Sequence, residues 1–218
     1  RFALRMWKIF GFPEITAYLS TKPAKAVGEA SRWDQATVSL ENALKSEGVP
    51  YKVDQGGGAF YGPKIDIKVR DAIGREHQTS TIQFDFNMPE RFEMTFTGED
   101  GAEHRPYMVH RALLGSIERF FGLLVEHYAG AFPLWLAPEQ ARILPLTDDR
   151  IPYAETVAAK LRDAGFRVGV DRRSEKVGAK IRDAQAEKIP YMVVLGPREE
   201  TAGTLSIRSR SKGDQGSA

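Results

Sequence analysis

Between residues 56 and 64 the chain reads Gly56-Gly57-Gly58-Ala59-Phe60-Tyr61-Gly62-Pro63-Lys64. Glycines let a backbone approach a ligand closely, and here they stand beside a hydroxyl and a positive charge. The same run also fits a plain hairpin with an exposed lysine. Gln78, Thr81 and Gln83 follow on one extended stretch. Thr81 and Gln83 share a face by parity, whereas Gln78 joins them only if a bulge intervenes. As polar strand residues all three equally suit a surface facing water. Arg119 shares a helical face with Ala112, Gly115 and Ser116. Small residues leave room there for a ligand against a guanidinium whose planar fork matches phosphate oxygens; a salt bridge to a sheet carboxylate is the structural alternative. His110 is one of four histidines, with His77, His104 and His127, too dispersed to display metal-ligand spacing. A lone histidine reads first as a hydrogen-bonded structural group. No Ser/His/Asp set, nucleotide-binding glycine fingerprint or carboxylate pair is legible.

These residues need a scaffold, and 218 residues suffice for one large or two modest domains. With 42% hydrophobic and 28% charged residues, wholesale disorder is excluded and a core can form. No cysteine is present, which excludes disulfides and a thiolate nucleophile and fits a reducing cytosol. No apolar run is long enough for a membrane span, so no membrane role is expected and the expected location is cytoplasmic. The opening RFALRMWKIF lacks a Met and reads as the middle of a helix, which suggests a piece of something longer. Residues 137–218 carry 15 basic and 12 acidic side chains, against 16 and 17 in residues 1–136, a weak signal for a polyanionic partner.

The first part reads as an antiparallel sheet. Ile65, Ile67 and Val69 alternate with Lys64, Asp66, Lys68 and Arg70, predicting one buried face. A strand over 79–86 follows, and alternation of Phe92, Met94 and Phe96 predicts another, returning through residues 105–110. The spacing predicts helices over 33–47 and about 112–128, the second with a core stripe of Leu113, Ile117, Phe120, Phe121, Leu124 and Tyr128. Two prolines in Phe132–Pro138 mark a boundary, giving domains 1–136 and 137–218. Strands at 141–146, 166–171, 191–195 and 204–210 then alternate with helices at 152–164 and 175–188, an α/β layer with a mixed, mostly parallel sheet. The polar, Gly-rich end, residues 211–218, reads as a loop.

GGGAFYGPKIDIKVRD, HQTSTIQFDFNMPERF and GEDGAEHRPYMVHRALLGSIERFFG together resemble the catalytic domain of the class II threonyl-tRNA synthetases, and GSIERFFG resembles class II motif 3. PLWLAPEQARILPLTD, GVDRRSEKVGAKIRDAQ and IPYMVVLGPRE resemble the anticodon-binding domain that follows it. The resemblance implies a partial α+β class II catalytic sheet joined to an α/β anticodon-binding domain. It implies ATP with Mg²⁺, L-threonine and tRNA(Thr) as substrates, and a homodimer in the intact enzyme. By motif position, Arg119 and Lys64 are the implied catalytic groups. Gln78, Thr81 and Arg119 lie around ATP, and Tyr61, Gln83 and Ala112 around threonine. His110 matches one of three zinc ligands; Zn²⁺ there would discriminate threonine from valine through the hydroxyl. Arg182, Glu199 and Arg208 match anticodon-reading positions, and Ser174 stands where the family usually carries Asn. Motifs 1 and 2, the other zinc ligands and an editing region are not in the sequence, so catalysis by this piece alone is not expected. A prolyl, glycyl or histidyl enzyme, or a non-catalytic paralogue that binds RNA or protein, are the alternatives.

Overall fold

A computed structural model describes residues 1–12 and 14–218. In chain order its elements are α1 (Phe2–Ile9), β1 (Ile15–Ser20), α2 (Ala30–Ser46), β2 (Tyr51–Asp54), β3 (Lys64–Arg70), β4 (Glu76–Asp85), α3 (Asn87–Arg91), β5 (Phe96–Thr97), β6 (Glu103–His104), β7 (Met108–Ala112) and α4 (Ile117–Tyr128). There follow β8 (Ala141–Pro145), α5 (Ile151–Asp163), β9 (Val168–Val170), α6 (Val177–Ala186), β10 (Tyr191–Leu195), α7 (Pro197–Ala202), β11 (Ser206–Ser209) and β12 (Gly213–Ser217). The chain divides into two units, Arg1–His127 and Tyr128–Ala218, ahead of the junction expected at 136/137.

In the first unit a five-stranded sheet runs β2-β1-β3-β4-β7, antiparallel except for the β1–β2 pair, which is parallel. One face is hydrocarbon: Ala17, Leu19, Ile65, Ile67 and Val69 are buried. Helix α2 buries Trp33, Ala36, Leu40 and Leu44 at helical spacing. Trp7 of α1 is fully buried, edge-on to Phe12 and Phe120, and its indole N–H donates to Ser80 Oγ at 2.9 Å. Burial of each Leu, Ile or Val on this face contributes about 1.5–3 kcal/mol.

Several expectations are corrected. Asp66, assigned by alternation to the wet face, is 2% exposed. Residues 92–96 do not extend the sheet: after the one-turn α3, only Phe96 and Thr97 pair, with Glu103 and His104, and Phe92, Met94 and Phe96 are exposed. Helix α4 begins at Ile117, since Gly115 adopts φ +69°, a left-handed conformation incompatible with helix. Ala112 is therefore the last residue of β7, and no helical face carries Ala112, Gly115, Ser116 and Arg119 together. Of the expected stripe, Phe120 and Leu124 are buried with Leu123, whereas Ile117 and Phe121 are exposed.

The second unit has the strand order β12-β11-β10-β8-β9. Its β8–β9 and β8–β10 pairs are parallel, and β10–β11 and β11–β12 antiparallel. The end expected as a loop is thus the edge strand β12. On one face Ile143, Val193 and Leu195 pack against Ala154, Val157 and Ala158 of α5. On the other, Leu144 and Met192 pack against Ala184 of α6. A strand covered on both faces buries successive apolar residues, as Ile143-Leu144 and Met192-Val193 do.

Candidate functional site

The opposite face of the first sheet is polar. Residues paired across antiparallel strands point the same way, so the register Ser20↔Lys64↔Gln83↔His110 puts four polar side chains in one row. Tyr18↔Asp66↔Thr81↔Ala112 forms the next row. Between Ile67↔Ser80 and Lys68↔Gln78 the register shifts, leaving Thr79 unmatched. This is the bulge needed to turn Gln78 to the side of Thr81, and Gln78 Nε2 lies 2.9 Å from Thr81 Oγ1. Lys64 Nζ is 2.6 Å from Asp66 Oδ2.

The β3–β4 hairpin that carries Gln78 is closed by Asp71. Its carboxylate accepts from the backbone N–H groups of Ile73 and Arg75, from Arg75 Nε at 2.6 Å and from His77 Nε2 at 2.8 Å. Burial alone would push the Asp71 carboxyl up, but the hydrogen bonds from His77, Arg75 and the backbone outweigh it and hold the group well below the usual carboxylate range. A depressed folded-state value contributes stability above the ordinary aspartate value of about 4, lost as pH falls toward the folded value. The thermal stability of the first unit is therefore expected to fall progressively below about pH 4, and more steeply in the natural protein than in Asp71→Asn. Parallel pH profiles of the two proteins would contradict this.

At the other end of β4 the face opens into a cavity of about 440 Å³ lined by Val27, Phe60, Tyr61, Asp85, Met88 and His110 among others. The Tyr61 hydroxyl donates to Gln83 Oε1, and Asn87 Nδ2 donates to the Tyr61 carbonyl at 2.7 Å. Burial pushes the Tyr61 hydroxyl above its ordinary value, and the Asp85 charge adds to that, so it stays a donor. His110 Nε2 sits 2.8 Å from Asp85 Oδ2, and its ring is edge-on to Tyr61 at 5.9 Å. The glycines nearby are used by the chain itself. A Cβ at Gly62 would collide with the Phe84 carbonyl oxygen, and Gly58 N–H donates to the Thr21 carbonyl at 2.8 Å.

Arg119 does not line this cavity. It lies in the first turn of α4, exposed, with its backbone N–H on Ser116 Oγ at 3.2 Å and no side-chain partner among the described residues. The turn before it passes the bulge: a Cβ on Gly115 would stand 3.5 Å from the Thr79 carbonyl oxygen. The start of α4, with Arg119, therefore lies at the Gln78 end of β4; Gln78 itself is five residues from Gln83, about 16 Å along an extended strand.

A histidine ligand usually hands its other ring nitrogen to a carboxylate, as His110 does to Asp85. Yet no group of three His, Cys, Asp or Glu side chains among the described residues could hold a metal ion. His110 and its carboxylate fit one ligand position and no more among the described residues. Asp66, Asp85 and Asn87 escaped the sequence reading. Asp85 shares parity with Gln83, a signal that was available.

In the second unit, Ser206 Oγ and the Gly196 N–H donate to the Glu199 carboxylate at 2.8 and 2.9 Å. The Ser206 bond, with the backbone donors, holds that carboxyl below its usual range. Arg208, two residues along β11, has a buried Nε without a partner. Arg182 projects from α6, exposed, with Nε 3.6 Å from Asp183. Ser174 donates to Asp148 Oδ2 at 2.8 Å. No helix among the described residues is long and apolar enough to cross a membrane.

Residues 140–218 match the family model of the anticodon binding domain, and residues 2–128 that of the tRNA synthetase class II core domain (G, H, P, S and T). The threonine–tRNA ligase of Sulfurihydrogenibium sp. is 56% identical over 215 residues, 99% of this chain and 33% of that protein. That of Aquifex aeolicus is 53% identical over 216 residues, 99% of this chain and 34% of the relative. The solved RNA binding domain of threonyl-tRNA synthetase from Cryptosporidium parvum Iowa II superposes with a TM-score of 0.93 at 36% identity, covering 98% of this chain and 54% of that one. The chain spans about a third of the length of the curated relatives it matches. With the polar sheet face, the cavity and the α4 arginine all inside the matched core, the chain belongs to the class II tRNA synthetases.

Proposed function

We propose that this chain is the part of a threonine–tRNA ligase that holds threonine and ATP and reads the anticodon. The observation that carries it is the register of β4 on β7, which sets Thr81 opposite Ala112 and Gln83 opposite His110 on the face where Tyr61 bonds Gln83. Groups able to orient an amino acid thus stand at one end of a strand. At its other end are groups suited to a nucleotide.

In the first step a threonine carboxylate oxygen attacks the α-phosphorus of ATP, and the bond to pyrophosphate breaks. In the second a ribose hydroxyl at the tRNA end attacks the threonyl carbonyl, and AMP leaves. Neither step needs a protein nucleophile, so catalysis rests on positioning and charge neutralisation. Tyr61 and Gln83 orient the amino acid beside Ala112, with Lys64 adding positive charge. Arg119 meets the phosphates, ATP entering as its Mg²⁺ complex, and Gln78 and Thr81 face the nucleotide. Were Zn²⁺ held at His110 by further ligands, it would supply a Lewis acid for the amino-acid hydroxyl. Arg182, Glu199, Arg208 and Ser174 bond to splayed anticodon bases of tRNA(Thr). The working protein is a homodimer.

Amino-acid-dependent ATP–pyrophosphate exchange by the gene product containing this chain tests the reading. Threonine is expected to drive exchange, with a preference over valine on the order of 10⁴-fold because valine leaves the hydroxyl's partners unmatched. Exchange driven by proline, glycine or histidine, or by no amino acid, would overturn it.

A further inference from the structure

Asp66 lies between Lys64 and the polar row of β4, 2% exposed. Its Oδ2 is 2.6 Å from Lys64 Nζ and 3.3 Å from Ser20 Oγ. Its Oδ1 is 2.7 Å from Gln78 Nε2 and 2.8 Å from Thr81 Oγ1. A carboxylate accepts only, so the Gln78 amide must turn its NH₂ toward Asp66, and Thr81 must give its hydroxyl hydrogen. Gln78 Nε2 also donates to Thr81 Oγ1 at 2.9 Å. With the amide nitrogen turned to Asp66 and Thr81, and the Thr81 hydroxyl hydrogen given to Asp66, the acceptors left toward a ligand are the Gln78 Oε1 oxygen and a lone pair on Thr81. Oxygen lone pairs repel a phosphate or carbonyl oxygen and attract an O–H or N–H.

We propose that Asp66 is a positioning residue: it sets the polarity of Gln78 and Thr81 so that together they accept from a hydroxyl or amine of the nucleotide, such as a ribose hydroxyl. This rests on the ligase reading for the identity of the ligand, and on the hydrogen-bond geometry alone for the orientation. Asp66→Asn offers an NH₂ that can turn toward Gln78 and reverse its amide.

The test is a double-mutant cycle on ATP–pyrophosphate exchange by the full gene product, with Asp66→Asn, Gln78→Ala and both together. Asp66→Asn is expected to raise the KM for ATP about 10–100-fold, as loss of an orienting partner does. The double variant should be no worse than the weaker single variant by more than about threefold, since coupled residues are non-additive. It should also narrow the preference for ATP over its 2′- or 3′-deoxy analogue. Losses that multiply independently, with the analogue preference intact, would show a merely structural role and overturn the proposal. If Asp66→Asn does not fold, Thr81→Val removes the hydroxyl that Asp66 holds, and the same cycle with Gln78→Ala decides. Side-chain amide NMR separates the two levels. The Gln78 NH₂ signals should shift and exchange faster in Asp66→Asn, and unchanged signals would sink the orientation. Absent threonine-dependent exchange in the natural protein would instead sink the ligase reading, with the NMR result still judging Asp66.

Discussion

Gly62→Ala is expected to destabilise the first unit by about 3 kcal/mol or more and to lower pyrophosphate exchange about 100-fold in whatever protein still folds. Gly62 packs its bare Cα against the Phe84 carbonyl, while the Phe84 N–H donates to the Pro63 carbonyl at 3.0 Å. An added methyl therefore meets backbone that is itself tied into the sheet, not a side chain free to rotate away. Relief requires the 59–63 turn to lift off β4, which separates the Tyr61 hydroxyl from Gln83 and breaks the Asn87 bond to the Tyr61 carbonyl. Gly122→Ala in α4 is the control. No atom lies within contact range of its added Cβ, and Ala is the better helix former, by about 1 kcal/mol. Chemical denaturation and exchange on the two variants decide the matter. A Gly62→Ala protein with the natural midpoint and rate would refute the packing argument.

Period-two alternation tells which residues share a face, not which face is wet. That is why Ile65, Ile67 and Val69 were legible as core, while Asp66 passed for a solvated residue although its own neighbours bury it. Gln78 shows a second limit. Its parity excludes it from the Thr81 face, and the bulge that readmits it is a backbone event around Thr79 with no side-chain pattern of its own. Apolar spacing likewise overshot at Phe92, Met94 and Phe96, which alternate as a strand would yet are exposed. Helical spacing ran through Gly115 because a wheel does not register φ; the left-handed turn there shortens α4 and hands Ala112 to β7. The glycine-rich run permits close approach, but the groups that approach Gly58 and Gly62 are the chain's own carbonyls. Motif resemblance reached the class II family where periodicity stopped at a two-domain protein, because it carries residue identities at fixed spacings that no general physical rule generates.

Arg119→Ala is expected to leave stability within about 0.5 kcal/mol of the natural protein, as surface substitutions away from packed features do. The side chain is exposed and bonds to nothing among the described residues, so its removal strands no buried group. Its effect should fall on the chemistry instead. As charge shifts onto the phosphate oxygens, a positioned cation stabilises the transition state more than the ground state. Removing one such group costs about 10²–10³ in rate. Arg119→Lys should recover only part of this, since an ammonium supplies the charge without the fork that grips two oxygens at once. The KM for threonine should scarcely move in either variant, because the turn leading into α4 passes the Gln78 end of β4, whereas Tyr61 bonds Gln83 toward the other end. The check is steady-state exchange with ATP and threonine varied separately, alongside thermal unfolding. Full activity in Arg119→Ala, or a loss confined to threonine affinity, would detach this arginine from the phosphates and leave its exposure as ordinary solvation.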